Sequence, residues 1–272
     1  MTELNTIQNI PFPRTRESLA SDLCILGLSS GMTVIVHSSL SVIGWVSGGS
    51  VAVVQALMDV LTPAGTLVMP THTGDLSDPS FWQDPPVPET WWPIIRDTMP
   101  AFELEVTPTR GMGRIVETFR TWPGTLRSSH PQVSFAAWGQ HAEFITAQHG
   151  LDDSLGEQSP LARIYDRDGS VLLLGVGHSN NTSFHLGEYR AAGGRRIAQG
   201  APVIENGQRV WKTINDFEWE ADCFEALGAD FEHAYSVKIG QVGSATTRLF
   251  AQRAAVDFAT RWIGEKRSAT RG

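Results

Sequence analysis

The sequence predicts an α/β fold, a mixed β-sheet flanked by helices, and three features predict it. Two short β-branched, apolar runs, residues 32–37 and 66–69, enclose a helical stripe formed by Val54, Leu57, Met58 and Leu61. Strand, helix and strand in so short a span make a βαβ unit, whose strands run parallel. A third apolar run, residues 171–175, passes through a glycine-rich turn into another helix. Finally, Glu205-Asn206-Gly207 separates residues 202–204 from 208–214. Asn-Gly between apolar runs marks a hairpin, so antiparallel strands join the parallel ones.

The elements follow in chain order. Residues 1–14 read as an irregular lead-in, and residues 15–272 as one domain. A helix is expected over 18–26, where Leu19, Leu23 and Leu26 share a face and Gly27 and Gly31 end it. Pro63 and Gly65 close the helix of the βαβ unit. Residues 71–100 are rich in proline and tryptophan, most densely over 81–93. They read as an ordered loop without regular structure, and loops of that length inside a compact domain are often functional. Helices are expected over 113–120 and 140–148, with a strand at 134–138 between them. Pro160 suits the first turn of a helix capped by Ser159. The last helix is expected over 253–266.

Composition narrows the function. The chain has 272 residues, of which 41% are hydrophobic, enough for a sizeable core. It carries no apolar run of about 18 residues that would span a membrane and no basic-then-apolar leader. With only Cys24 and Cys223 there is neither a disulfide framework nor a CxxC pair. A cytoplasmic protein is the simplest reading. The net charge of −8 repels phosphate backbones and argues against nucleic acid as a partner, while favouring a cationic small molecule.

Two loops suggest anion binding. His37-Ser38-Ser39-Leu40 follows a strand, and Ser47-Gly48-Gly49-Ser50 precedes a helix. Small-residue turns and a helix N-terminus expose N–H groups that would hold a pyrophosphate. The spacing is neither that of a P-loop nor GxGxxG, and an ordinary βα turn explains the glycines equally well. Arg110, beside glycines in Thr109-Arg110-Gly111-Met112-Gly113, is a second phosphate candidate; a surface ion pair is the alternative.

The most informative stretch runs from Gly175 to His185. If Thr182 is the N-cap, His185 stands at the third helical position, where the helix dipole disfavours the imidazolium. A neutral imidazole is what a general base requires. Asp216, Glu218 and Glu220 alternate after the hairpin, and on an extended segment they would share one face. They would supply a carboxylate for His185 or attract cations, unless the stripe is simply solvated. His37, His72, His130, His178 and His185 lie in or near loops, but no HExxH or other short-spaced ligand set accompanies them, and no metal is expected. A GxSxG elbow is also missing.

Several longer motifs occur in order: Met32-Thr-Val-Ile-Val-His-Ser-Ser-Leu40, Gly65-Thr-Leu-Val-Met-Pro-Thr71, Thr107-Pro-Thr-Arg-Gly-Met-Gly113, Arg127-Ser-Ser-His-Pro131, Ser159-Pro-Leu161, Leu173-Leu-Gly-Val-Gly177, Asn181-Thr-Ser-Phe-His-Leu186 and Gly240-Gln-Val-Gly243. In these the chain, from about residue 15 onward, resembles the aminoglycoside 3-N-acetyltransferase family, particularly its Bacillus-type members. The resemblance implies an α/β fold distinct from that of the GCN5-related acetyltransferases, with acetyl-CoA as donor. It implies that His37, Ser38, Ser39 and Leu40, together with Thr109, Arg110, Met112 and Gly113, hold coenzyme A. It makes His185 the catalytic base, with Thr182 in the same motif. An acidic residue after the hairpin, placed on Glu218 with Asp216 and Glu220 as rivals, would be the partner of His185. Asp75, Asp216 and Glu220 would then grip a cationic acceptor, an aminoglycoside amine, in a ternary complex. A homodimer is compatible with the family, although the sequence reveals no interface. The aromatic stretch 81–93 departs from the acidic insertion of strongly resistance-conferring members. It leaves the acceptor amine open, though not the donor or the reaction; a non-catalytic CoA- or nucleotide-binding protein and a metal-dependent amidohydrolase are the separate alternatives from other classes.

Overall fold

A computed structural model describes residues 3–8 and 10–270. Among them a seven-stranded sheet runs in the order β3-β4-β2-β1-β5-β9-β8. Its centre is parallel: β1 (Thr33–Ser38) lies between β2 (Thr66–Pro70) and β5 (Ser170–Leu174). Their side chains are buried almost throughout, as expected for strands covered on both faces. The flanks are antiparallel, with β3 (Leu126–Arg127) and β4 (Phe135–Gly139) beyond β2, and β8 (Lys238–Val242) and β9 (Ala245–Ala251) beyond β5.

Alternation along β1 sorts the core into two layers. Val34 and Val36 face α2 (Arg16–Leu26), α4 (Gly49–Leu61) and α6 (Gly113–Arg120). Ile35 faces α9 (Ser183–Arg190), α10 (Phe224–Ala234) and α11 (Gln252–Thr270). Helix α2 starts where Thr15 and Ser18 cap each other's backbone and stops where Gly27 turns left-handed at φ 107°, a conformation costly for any residue with a Cβ. The short helices α7 (Ala142–Thr146) and α8 (Pro160–Asp166) close the second layer; Ser159 caps α8, accepting from the Leu161 N–H. Strands β6 (Arg196–Glu205) and β7 (Gln208–Phe217) form a separate two-stranded sheet. Asn206 (φ 52°) and Gly207 (φ 76°) make its turn, with both residues at positive φ as a type I′ hairpin demands.

The structure corrects three expectations. The lead-in is not wholly irregular: α1 spans Glu3–Gln8, and Arg14 bridges to Val46. The aromatic stretch contains regular structure, with 3₁₀ turns at Pro79–Phe81 and Glu89–Trp91 and a helix α5 (Trp92–Thr98). Pro93 opens that helix, where its missing N–H costs nothing, and the Asp78–Arg96 ion pair at 2.7 Å holds it to the first turn. The helix expected over 140–148 shortens to α7. No helix among the described residues is long and apolar enough to cross a membrane.

Candidate active site

The C-terminal ends of β1 and β5 open onto a cleft of about 770 Å³. Ser38, Ser39, Leu40, Met112 and Gly113 line it, as the sequence suggests. Gly49, from the second expected anion loop, lines it too, and so do Trp45, Arg114, Val176 and Asn180, which the sequence does not single out for this role. Helices α4 and α6 both begin at the cleft without a side-chain cap, so their first N–H groups and dipoles remain available to an anion. A four-residue helix α3 (Leu40–Ile43) bridges the strand to this rim. Gly49, Gly111 and Gly113 hold φ at 57°, 71° and 82°, and a Cβ on any of them would meet no protein atom within 4 Å. The glycines therefore serve backbone conformation and an open approach. Arg114 is the one charged side chain of the lining among the described residues. Such a cradle fits the pyrophosphate of coenzyme A.

Three residues expected at the donor, Thr109, Arg110 and His37, are not among those lining the cleft. Thr109 donates through its N–H and hydroxyl to Glu117, each at 2.5 Å. Arg110 forms an ion pair with Asp75, so each occupies the charge of the other. His37 follows Ile35 by two residues, and strand alternation turns it towards the α9 layer.

His185 sits one turn into α9, following a turn that leaves β5 through Gly175 and a 3₁₀ segment, His178–Asn180. Thr182 occupies the N-cap position but makes no capping bond. Instead the Asn181 Oδ1 accepts from the Ser183 N–H at 3.2 Å. The His185 Nδ1 lies 2.8 Å from Oε2 of Glu188, whose side chain is fully buried. Residues three apart share a helix face, so the dyad is built into one turn. The other Glu188 oxygen accepts from the Glu220 N–H at 2.7 Å and from Arg267 at 3.2 Å. Phe224 and Trp219 pack against the imidazole at ring-centroid distances of 4.7 and 5.8 Å.

This corrects the placement of the carboxylate. Glu218 is not the partner of His185: it is exposed and paired with Arg195 at 2.5 Å. Asp216 is buried, accepting from the hydroxyls of Ser154 and Tyr189, the latter at 2.6 Å. Burial, and next the Asp216 charge, push the Tyr189 phenol above its usual range. Glu220 is largely exposed, 3.6 Å from Arg267. The three do not share a face because β7 ends at Phe217 and the chain turns into a 3₁₀ segment, Ala221–Cys223.

Further imidazoles lie near His185. Burial holds His37 at about 3 and His72 at about 3, and the charge His185 would carry pushes both the same way. Their Nε2 atoms are buried without a partner among the described residues. His130 is likewise lowered by burial to about 4. No group of three or more His, Cys, Asp or Glu is arranged to hold a metal ion among the described residues.

Residues 35–264 match the family described as aminoglycoside 3-N-acetyltransferase. The chain is 53% identical over 258 residues to an SPbeta prophage-derived aminoglycoside N(3′)-acetyltransferase-like protein, YokD, of Bacillus subtilis (strain 168), covering 94% of this chain and 95% of the relative. It is 36% identical to aminoglycoside N(3)-acetyltransferase VII of Streptomyces paromomycinus, covering 100% and 99%. The crystal structure of YokD superposes with a TM-score of 0.96 at 51% identity, covering 97% of this chain and 98% of that one. AAC-IIIb in a binary complex with CoASH gives 0.83 at 31% identity, covering 94% and 98%. AAC-VIa bound to sisomicin gives 0.85 at 30% identity, covering 94% and 99%.

Proposed function

Because the chain belongs to the aminoglycoside 3-N-acetyltransferase family, we propose that it moves acetyl from acetyl-CoA to the 3-amino group of a 2-deoxystreptamine aminoglycoside, with His185 as general base. The observation that carries this reading is the His185–Glu188 pair at 2.8 Å, on the helix that follows the turn supplying Val176 and Asn180 to a cleft with two uncapped helix starts. A carboxylate on Nδ1 selects the tautomer whose Nε2 lone pair is free to take a proton. The amine attacks the thioester carbonyl and gives its proton to Nε2, while Glu188 balances the imidazolium. The tetrahedral intermediate collapses, the C–S bond breaks, and the thiolate of coenzyme A takes the proton from His185. The products are the amide and free thiol, and the base is restored. We assign the developing oxyanion to the hydroxyls of Ser39 and Thr182, the latter not spent on capping, since the N–H groups of both residues already donate to backbone carbonyls. Glu220, whose own N–H touches Glu188, is the carboxylate we assign to an acceptor ammonium group; Asp216 is committed to internal hydrogen bonds and Asp75 to Arg110. The AAC-IIIb complex with CoASH and the AAC-VIa complex with sisomicin support the two ligand classes.

The test is thiol release from acetyl-CoA across an aminoglycoside panel, with His185→Ala as control. Release that requires both drug and His185 is expected. Release from no drug would overturn the acceptor assignment, and release indifferent to His185→Ala would overturn the base.

A further inference from the structure

We infer that Arg267, in the last turn of α11, is a positioning residue for the base: it keeps Glu188 a carboxylate and turns one chosen oxygen of it to His185. The inference rests on the acetyltransferase reading and deepens it. Spacing within α9 puts His185 and Glu188 on one face, but it sets neither the charge nor the rotation of the carboxyl group.

Val256, Ala259, Ile263 and Arg267 recur at steps of three and four along α11 and so form one stripe. The three apolar members are buried. They meet α9 at Gly187, where a Cβ would come within 2.6 Å of the Ala259 Cβ and 2.9 Å of the Val256 carbonyl oxygen. Glycine at this point lets the two helices approach closely. Arg267, about two turns beyond Ala259, then reaches Glu188.

The guanidinium holds Glu188 twice. Its Nη2 donates to Oε1 and its Nη1 to the main-chain carbonyl, each at 3.2 Å. That carbonyl lies in the last turn of α9, where helix carbonyls lack partners along the helix. A planar group that grips main chain and carboxylate together fixes the rotation of the side chain. Oε1 also accepts from the Glu220 N–H at 2.7 Å, which leaves Oε2 for the His185 Nδ1 at 2.8 Å. The Glu188 side chain is fully buried. A carboxylate cut off from water needs a countercharge to stay ionised, and an imidazole waiting to act as a base offers none. Arg267 supplies it, and its Nε lies 3.6 Å from the exposed Glu220 carboxylate on the solvent side.

The experiment uses the full chain as wild type, Arg267→Gln and Arg267→Lys. Arg267 does not line the cleft, so KM for acetyl-CoA should stay level. In Arg267→Gln kcat should fall about 10–100-fold, the scale of a misplaced reacting group. Lysine returns the charge without the planar fork, so Arg267→Lys should lose only severalfold. The imidazole nitrogen NMR shifts of His185, identified by their loss in His185→Ala, give a reading independent of turnover. We expect the wild-type ring to carry its proton on Nδ1, facing Glu188, and Arg267→Gln to move a measurable share to Nε2. A merely structural arginine would leave that tautomer unmoved. An unchanged tautomer or kcat in Arg267→Gln, or equal losses in the two variants, would overturn the inference. If the wild type acetylates no amine, the catalytic reading fails and the tautomer alone decides the clamp. Should Arg267→Gln not fold, Arg267→Lys decides by the same readings, and wild-type values there would overturn the inference.

Discussion

Replacing Glu188 by Gln separates the geometry seen here from the carboxylate placement that the sequence suggested. The substitution keeps shape and removes charge. A Gln Oε1 still accepts from the Glu220 N–H and from Arg267, which leaves the amide NH₂ facing His185 Nδ1. Nδ1 must then accept, the ring proton moves to Nε2, and the lone pair that should deprotonate the amine is gone. General-base catalysis contributes about 10²–10⁴-fold, so kcat should fall by about 10³-fold, which is about 4 kcal/mol of barrier. Folding should suffer as well. The side chain of Arg267 is 9% exposed, and with only the exposed Glu220 carboxylate at 3.6 Å left as a countercharge the loss costs up to about 3 kcal/mol, or up to roughly 12 °C in Tm for a chain of this size. Thiol release and a thermal melt on the same preparation check both numbers. Glu218→Gln is the control: its carboxylate is exposed and paired only with Arg195, so rate and melting should hold. A silent Glu188→Gln beside an inactive Glu218→Gln would refute the argument.

Three further outcomes follow from the same structure. His37 and His72 are held neutral when folded, near 3 against an ordinary value of 6.5; a depressed folded value means that their stability contribution is complete above pH 6.5 and is lost as pH falls towards 3, by about 2 kcal/mol each between pH 6.5 and 5. Urea midpoints at pH 7 and 5 check this, and His72→Gln should shrink the difference. Gly111→Ala places a Cβ at φ 71° in open space beside the cleft; it should cost about 1 kcal/mol of loop strain and raise KM for acetyl-CoA severalfold without changing kcat. Tyr189→Phe removes the oxygen that joins Asp216 at 2.6 Å and the Trp219 indole at 3.2 Å; a loss of about 1–3 kcal/mol should appear in a denaturant titration.

The central strands were legible because both their faces are covered, which leaves uninterrupted apolar runs. The hairpin was legible because Asn206-Gly207 admits few other conformations. Strand β8 escaped notice since it is a sheet edge: Lys238, Ile239 and Gln241 are exposed, and charge on an edge strand blurs the periodic signal. His185 could be found from its place after a glycine-rich turn. Its partner is legible too, as His185-Leu-Gly-Glu188 spells an i, i+3 pair, but the alternating acidic residues after the hairpin offer a competing signal. Alternation over 216–220 misled because period 2 carries meaning only while the chain stays extended. The phosphate cradle was half visible: the Ser38 and Gly113 segments could be seen, but their convergence with Trp45 and Asn180 is a property of the crossover topology.

The His185–Glu188 pair is contained within four consecutive residues of a single helix, and that locality affects what the rest of the molecule is free to do. The hairpin sheet and the segment around α5, which Arg209 ties together through the carbonyls of Met99 and Arg96, belong to other stretches of the chain. Changes there leave the spacing of His185 and Glu188 untouched, because backbone geometry within α9 sets it. Substitutions in the loops and the hairpin can therefore accumulate while the His185–Glu188 spacing stays in register.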